Sequence, residues 1–151
     1  MIIQEAALVS ILYRKSITGC ESDCIRTMIK DMMDCIKSRY PLSIVDEYEF
    51  RLVLNELIAN GTIHGNKRLG DKTITAQIDA IDKYTVGITI EDEGSGFDYK
   101  GFLNQEFPCD KDPYSEGGRG LKLIKAICDH IRFNQGGNQI MISKSIKNKK
   151  F

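Results

Sequence analysis

The apolar positions along the chain change period several times, and the changes divide it into elements. Residues 1–17 carry two readings. Ala6 to Tyr13 suits a helix, but the β-branched and aromatic content from Val9 to Ile17 suits a strand, and a strand from about Leu8 is the preferred reading. Ser22 and Asp23 then open a helix whose stripe is Ile25, Met28, Ile29, Met32, Cys35 and Ile36. Lys37 and Arg39 stand in its last turn, where the helix dipole favours cations, and Pro41 lies just beyond. The methionines of this stripe read as core filling rather than as a cofactor site. A second helical run starts near Ser43 and ends in Asn55-Glu56-Leu57-Ile58-Ala59-Asn60-Gly61-Thr62-Ile63-His64-Gly65. At 100° per residue Phe50, Leu54, Leu57, Ile58 and Gly61 share one face. Glu56 and Asn60 share the opposite face with Val45, Leu52 and Ile63. A helix apolar on nearly every side is expected to be buried.

A polar turn follows from Gly65 to Asp71, and then the period drops to two. Ile74, Ala76, Ile78 and Ala80 alternate with Thr73, Thr75, Gln77 and Asp79. After a turn at Asp82-Lys83, Tyr84, Val86, Ile88 and Ile90 alternate with Thr85, Gly87, Thr89 and Glu91. This is an antiparallel hairpin with one apolar face, so helices should cover that face only. Residues 92–120 break the pattern with glycines, Pro108 and Pro113, and a loop of that length reads as a lid or binding loop, or else as disorder. A helix resumes at Leu121 with Ile124, Cys128 and Ile131 in line. Phe133, the turn Gln135-Gly136-Gly137-Asn138, and Ile140 with Ile142 make a closing hairpin, and Lys144 to Lys150 read as a solvated tail.

Length and composition narrow the class. The 151 residues suffice for one domain with a core, and 42% apolar with 28% charged residues is ordinary for a globular protein. Lys and Arg number 21, as do Asp and Glu, so net charge offers no case for nucleic acid or an anionic membrane as the main partner. A local basic patch is left open by that balance. The five cysteines form no CxxC pair and there are only two histidines, which removes zinc-finger spacing. They read as reduced thiols of a cytosolic protein, three of them in the core. No apolar run approaches a membrane span, and the first residues lack the basic region of a signal peptide, so a cytoplasmic location is expected.

Three polar features stand out against this background. Glu56 and Asn60 sit on a helix expected to be buried, where each needs a partner, which a backbone group, a side chain or a ligand could supply. Asp92-x-Gly94-x-Gly96 ends a strand, and Gly117-Gly118-Arg119-Gly120 opens a helix. Glycines allow a ligand to approach the backbone, and a helix N-terminus offers free N–H groups to phosphate. Asp92 could accept a hydrogen bond from an exocyclic amine such as that of adenine. Asn60 offers Mg²⁺ an uncharged oxygen. There is no Walker A motif, so a P-loop site is excluded.

In this order, the three features resemble the motifs of the GHKL ATP-binding domains. Asn55 to Gly65 resembles the family's N box, Glu91-Asp92-Glu93-Gly94-Ser95-Gly96-Phe97 its first glycine box, and Gly117-Gly118-Arg119-Gly120-Leu121-Lys122-Leu123-Ile124 its second. Within the family the chain is most similar to the bacterial anti-sigma factor serine kinases, the group that includes sporulation and general-stress switch proteins. The likeness runs from about Ser22 to Ser145. It departs at Gly61, where the family usually has Ala, and Arg119 is present in only some relatives.

The resemblance implies a single domain, a two-layer α+β sandwich in which helices cover one face of a mixed, mostly antiparallel sheet, with ATP beneath a lid at 98–119. Asn60 would bind Mg²⁺ bridging the ATP phosphates, and Asp92 would read the adenine amine. Gly94 and Gly96 would shape the pocket. Gly118, Gly120 and Leu121 would contact phosphates through their backbone, with Arg119 near the γ-phosphate. Glu56 would be the base that takes a proton from a substrate serine. His64 is expected to cap or pack at the helix end rather than to catalyse. The implied partners are an anti-anti-sigma STAS-type protein and a sigma factor. The first twenty residues form a strand or arm of the kind with which relatives often build a dimer, so a homodimer is left open. The alternative to a kinase is a nucleotide-binding switch that grips a partner without transferring phosphate. A histidine kinase would normally add a helical domain carrying a phospho-accepting histidine, and these 151 residues leave no room for one.

Overall fold

The run that begins at Ser43 is helical throughout, but it keeps α geometry only to Ala59. The computed structural model describes residues 9–67, 69–96 and 118–147. In chain order these form β1 (Ser10–Thr18), α1 (Ser22–Arg39), α2 (Ile44–Ala59), a π-helical turn (Asn60–Gly65), β2 (Thr73–Ala80), β3 (Thr85–Glu91), α3 (Gly118–Ile127), β4 (His130–Phe133) and β5 (Gln139–Ser145). The strands lie side by side in the order β1-β2-β3-β5-β4. All four neighbouring pairs are antiparallel. The two-layer α+β arrangement is therefore present, with the sheet antiparallel at every described pairing rather than mixed. The helix α3 delivers the chain to the far edge as β4, and a tight turn returns it as β5 beside β3.

Alternation decides which face of the sheet is covered. Ile74, Ala76, Ile78 and Ala80 of β2, Val86, Ile88 and Ile90 of β3, and Ile140 and Ile142 of β5 are buried against the helices. The opposite face keeps Thr73, Thr75, Gln77 and Asp79 partly exposed. From α1, Met28, Ile29, Met32, Met33 and Ile36 enter the same core, as their helical spacing requires. Tyr40 closes the end of α1 onto the β2–β3 turn, its hydroxyl donating to the Asp82 and Thr85 carbonyls at 2.9 and 3.0 Å.

Several expectations change here. The helix α2 is buried along one stripe (Asp46, Phe50, Val53, Leu54, Leu57, Ile58), not all round. Ile44, Val45 and Tyr48 are exposed, on the face of the first turns opposite the buried Asp46 and Phe50. Ile131, read as part of the last helix, belongs to β4, since α3 ends at Ile127. Cys35 and Cys128 pack against the core, but none of the four described cysteines is fully buried. Burial pushes the Cys128 thiol up to about 12, so it stays protonated and unreactive.

The solvated tail is also corrected. Lys144 lies in β5 on the face shared with Ile140, Ile142 and Ile146, and its side chain is 2% exposed. Its stem packs with the core, and its ammonium meets Glu49 Oε1 at 3.1 Å and stands 5.3 Å from the Phe50 ring centroid. Lys147 reaches the same carboxylate oxygen at 2.9 Å. One turn earlier, Ser43 and Asp46 form a capping box, in which Ser43 Oγ accepts the Asp46 N–H and Asp46 Oδ2 accepts the Ser43 N–H. The other Asp46 oxygen takes the Lys147 N–H at 2.8 Å. The start of α2 is thus tied to the end of β5 by charge and by backbone.

Candidate functional site

The π-helical turn begins at Asn60. Gly61 presses onto the sheet so closely that a Cβ there would stand 2.6 Å from Ile74 Cδ1, and Ile90 lies beyond it. The departure from Ala at this position is thus used for close packing. The Thr62 hydroxyl donates back to the Ile58 carbonyl at 2.9 Å, and the Asn66 N–H donates to the Gly61 carbonyl at 2.8 Å, a five-residue step that widens the helix. Such π segments recur where a helix must present functional groups. The Asn60 N–H bonds to the Glu56 and Leu57 carbonyls. No hydrogen bond holds its carboxamide among the described residues.

The second feature meets this turn from the end of β3. Asp92 is gripped through its backbone, its N–H donating to the Asn138 carbonyl at 2.9 Å and its carbonyl accepting from Asn138 Nδ2 at 3.0 Å. Its Oδ1 accepts the Gly94 N–H at 2.7 Å. Its carboxylate lies against Gly65, where any Cβ would collide with it. Gly96 has φ of +88°, a conformation glycine adopts freely, and a Cβ there would strike the Gly136 carbonyl. Burial raises the Asp92 pKa, the Glu91 charge beside it raises it further, and the Gly94 N–H offsets part of this.

Asn60 and Asp92 therefore line one cleft, with Leu57, Ile90, Phe133 and Ile140 as its apolar lining and Gly137 and Asn138 at its side. Two roomier hollows, of about 490 and 300 Å³, lie between α1 and α2 and include none of Glu56, Asn60 or Asp92. Asn60 and Asp92 share the narrowest of the three, about 10 Å³.

The third feature reaches the same region through α3. Gly120 in its first turn lies against the Glu56 carboxylate, which a Cβ there would have to displace. Glu56 is partly exposed and has no hydrogen-bonding partner among the described residues. Leu121 turns its side chain into the core and is 3% exposed, so only its backbone is free for a ligand. Gly118 starts α3. The side chains of Arg119 and His64, and residues 98–117 of the expected lid, lie outside the described residues. Glu56, Asn60, Asp92, Gly94, Gly96 and Gly120 are thus brought to one end of the sandwich.

Two residues here do more than their turn positions indicate. Asn66 is 4% exposed, accepting the Glu93 N–H at 2.7 Å and donating to the Thr73 carbonyl at 3.0 Å. Asn138 holds Asp92 as described. Their position in glycine-containing turns was the available signal, but an Asn in a turn usually serves only the turn.

A helix layer on an antiparallel sheet, with a carboxylate and a carboxamide lining one cleft and a glycine-rich helix start beside it, defines a nucleotide-binding α+β domain. A family model for the histidine kinase-like ATPase domain matches residues 21–144, and the chain belongs to that family. ATP binding follows from that membership. No curated protein matches the chain.

The donor set suits Mg²⁺ accompanied by phosphates. Among the described residues no group of three or more His, Cys, Asp or Glu side chains gathers to cage a metal. Asn60 supplies one uncharged oxygen, which fits an ion that keeps most of its shell as water and phosphate.

Proposed function

We propose that the chain is an ATP- and Mg²⁺-dependent serine protein kinase of the anti-sigma regulatory type. The observation that carries this reading is Glu56, a carboxylate without a hydrogen-bonding partner among the described residues, on the same helix face as Asn60 and touching Gly120 at the start of α3. A protein that only grips nucleotide has use for Asn60 and Asp92 but none for a carboxylate held here. Asp92 reads the purine amine, Asn60 holds the ion, and Gly118, Gly120 and Leu121 present backbone groups to the phosphates with Arg119 near the γ-phosphate. Gly94 and Gly96 shape the pocket, and the resemblance gives 98–119 the role of its lid. The bound ion would neutralise charge on the phosphates. The substrate serine oxygen forms a bond to the γ-phosphorus as the bond to the departing ADP oxygen breaks, and Glu56 takes the serine proton.

The substrate class comes from the resemblance of the three boxes: a STAS-type anti-anti-sigma protein, with a sigma factor as the second partner. Residues 1–20 serve a homodimer contact in this reading. Among the described residues no helix is long and apolar enough to cross a membrane. A cytoplasmic location fits such a regulator.

Transfer of label from γ-labelled ATP to a STAS-type protein tests the proposal. Glu56→Gln should lower transfer by about 10²- to 10⁴-fold, the range for loss of a general base, with ATP affinity kept. ATP binding without transfer to such partners would support the alternative, a non-catalytic switch.

A further inference from the structure

The peptide that joins Asp92 to Glu93 is held from both sides by carboxamides that come from different elements. On one side, Asn138 of the β4–β5 turn takes the Asp92 N–H on its carbonyl and donates Nδ2 to the Asp92 carbonyl, at 2.9 and 3.0 Å. That side chain is itself locked, since Asn134 Nδ2 donates to Asn138 Oδ1 at 2.7 Å and Asn134 Oδ1 accepts the Asn138 and Gln139 N–H groups. On the other side, Asn66 leaves the π-helical turn and accepts the next N–H in the chain, that of Glu93, at 2.7 Å. Asn66 is nearly fully buried and anchored on the Thr73 carbonyl, so it cannot swing away without stranding polar groups. The Glu93 carboxylate completes the ring by accepting the Thr73 N–H.

We infer that Asn138 and Asn66 are positioning residues for base recognition, acting through Asp92. A backbone fixed at N–H and carbonyl leaves the Asp92 side chain little freedom, and the Gly94 N–H already occupies Oδ1. The Gly65 contact confines the rest of the carboxylate. What remains is one acceptor direction into the cleft, suited to the exocyclic amine of a purine and repelled by a carbonyl at that position. Asn66 also joins this direction to Asn60, because the same π-helical turn starts with one and is closed by the N–H of the other. The base reader and the proposed ion ligand are thereby set at a fixed relation. This inference rests on the assignment of Asp92 to the purine amine.

The test compares affinities for ATP and inosine triphosphate, which carries a carbonyl in place of the amine. Wild type should prefer ATP. Asn138→Asp keeps the shape but turns a donor toward Asp92 into an acceptor, and its added charge affects both nucleotides alike. It should lower the ATP preference by about tenfold, the size of one lost hydrogen bond. Asn134→Ala, which frees the Asn138 side chain without touching Asp92, should lower it in the same direction, and it serves as the reading if the first variant does not fold. A purely structural role would weaken both nucleotides equally and leave the preference intact, which would overturn the inference. A wild type that does not distinguish the two nucleotides would overturn the Asp92 assignment as well.

Discussion

The two ends of α2 treat polar groups in opposite ways. At the start, Asp46 and Glu49 are matched inside the protein: a capping box and a backbone bond from Lys147 take both Asp46 oxygens, and two ammonium groups meet Glu49 Oε1. At the other end, the side chains of Glu56 and Asn60 lack hydrogen-bonding partners among the described residues, and Asp92 is fixed by its backbone with its carboxylate facing the cleft. Burial costs a polar group less when a partner is supplied, so the first end anchors the helix. The second end holds its groups in place without using them up, which suits a ligand site.

The pKa shifts point in opposite directions too. Burial alone would push the Glu49 carboxyl up, but hydrogen bonds from Lys147 and Lys144 outweigh it and hold it below the ordinary value. Its stabilising contribution is present above that ordinary value and is lost as pH falls through the folded one. The Asp92 carboxyl is raised, so the folded state holds its proton more tightly than the unfolded chain does. Stability therefore falls as pH rises from the ordinary carboxylate value through the raised one, and the penalty persists above it.

The largest effect on stability should come from Glu49→Ala. It strands the buried Lys144 charge and should cost about 3 kcal/mol in denaturant unfolding, with ATP affinity unchanged in the remaining folded protein. A loss below about 1 kcal/mol would mean that the first end is not an anchor. Asp92→Asn should do the reverse. It should weaken ATP binding by roughly a hundredfold, the worth of a hydrogen bond to a charged group. Its melting temperature at pH 7 should equal or exceed that of wild type, with the gap narrowing as pH falls toward the ordinary carboxylate range. A destabilised Asp92→Asn variant would show this carboxylate to be structural. The smallest effect belongs to Lys144→Met, which replaces a buried ion by an apolar chain of similar length and should stay within about 1 kcal/mol of wild type.

How much of this could be read from the chain differed between the two ends as well. Helices, hairpins and their covered faces follow from period, and the glycine boxes mark the cleft. Lys144 misled because the basic stretch around it looks solvated, while its alternation with Ile142 and Ile146 carries it inside. The π-helical turn was not legible either, since it is closed by the Asn66 N–H on the Gly61 carbonyl and seated by Gly61 against Ile74, contacts without a periodic pattern. Asn66 and Asn138 were hidden for the same reason, as their partners lie 27 and 46 positions away.

The contrast between the two ends of α2 is decided by ATP affinity with and without Mg²⁺, in wild type and in Asn60→Ala. If the free carboxamide at the far end of α2 is the ion's protein ligand, Mg²⁺ should strengthen ATP binding to wild type, and Asn60→Ala should lose most of that gain. An unchanged Mg²⁺ response in Asn60→Ala would contradict the account.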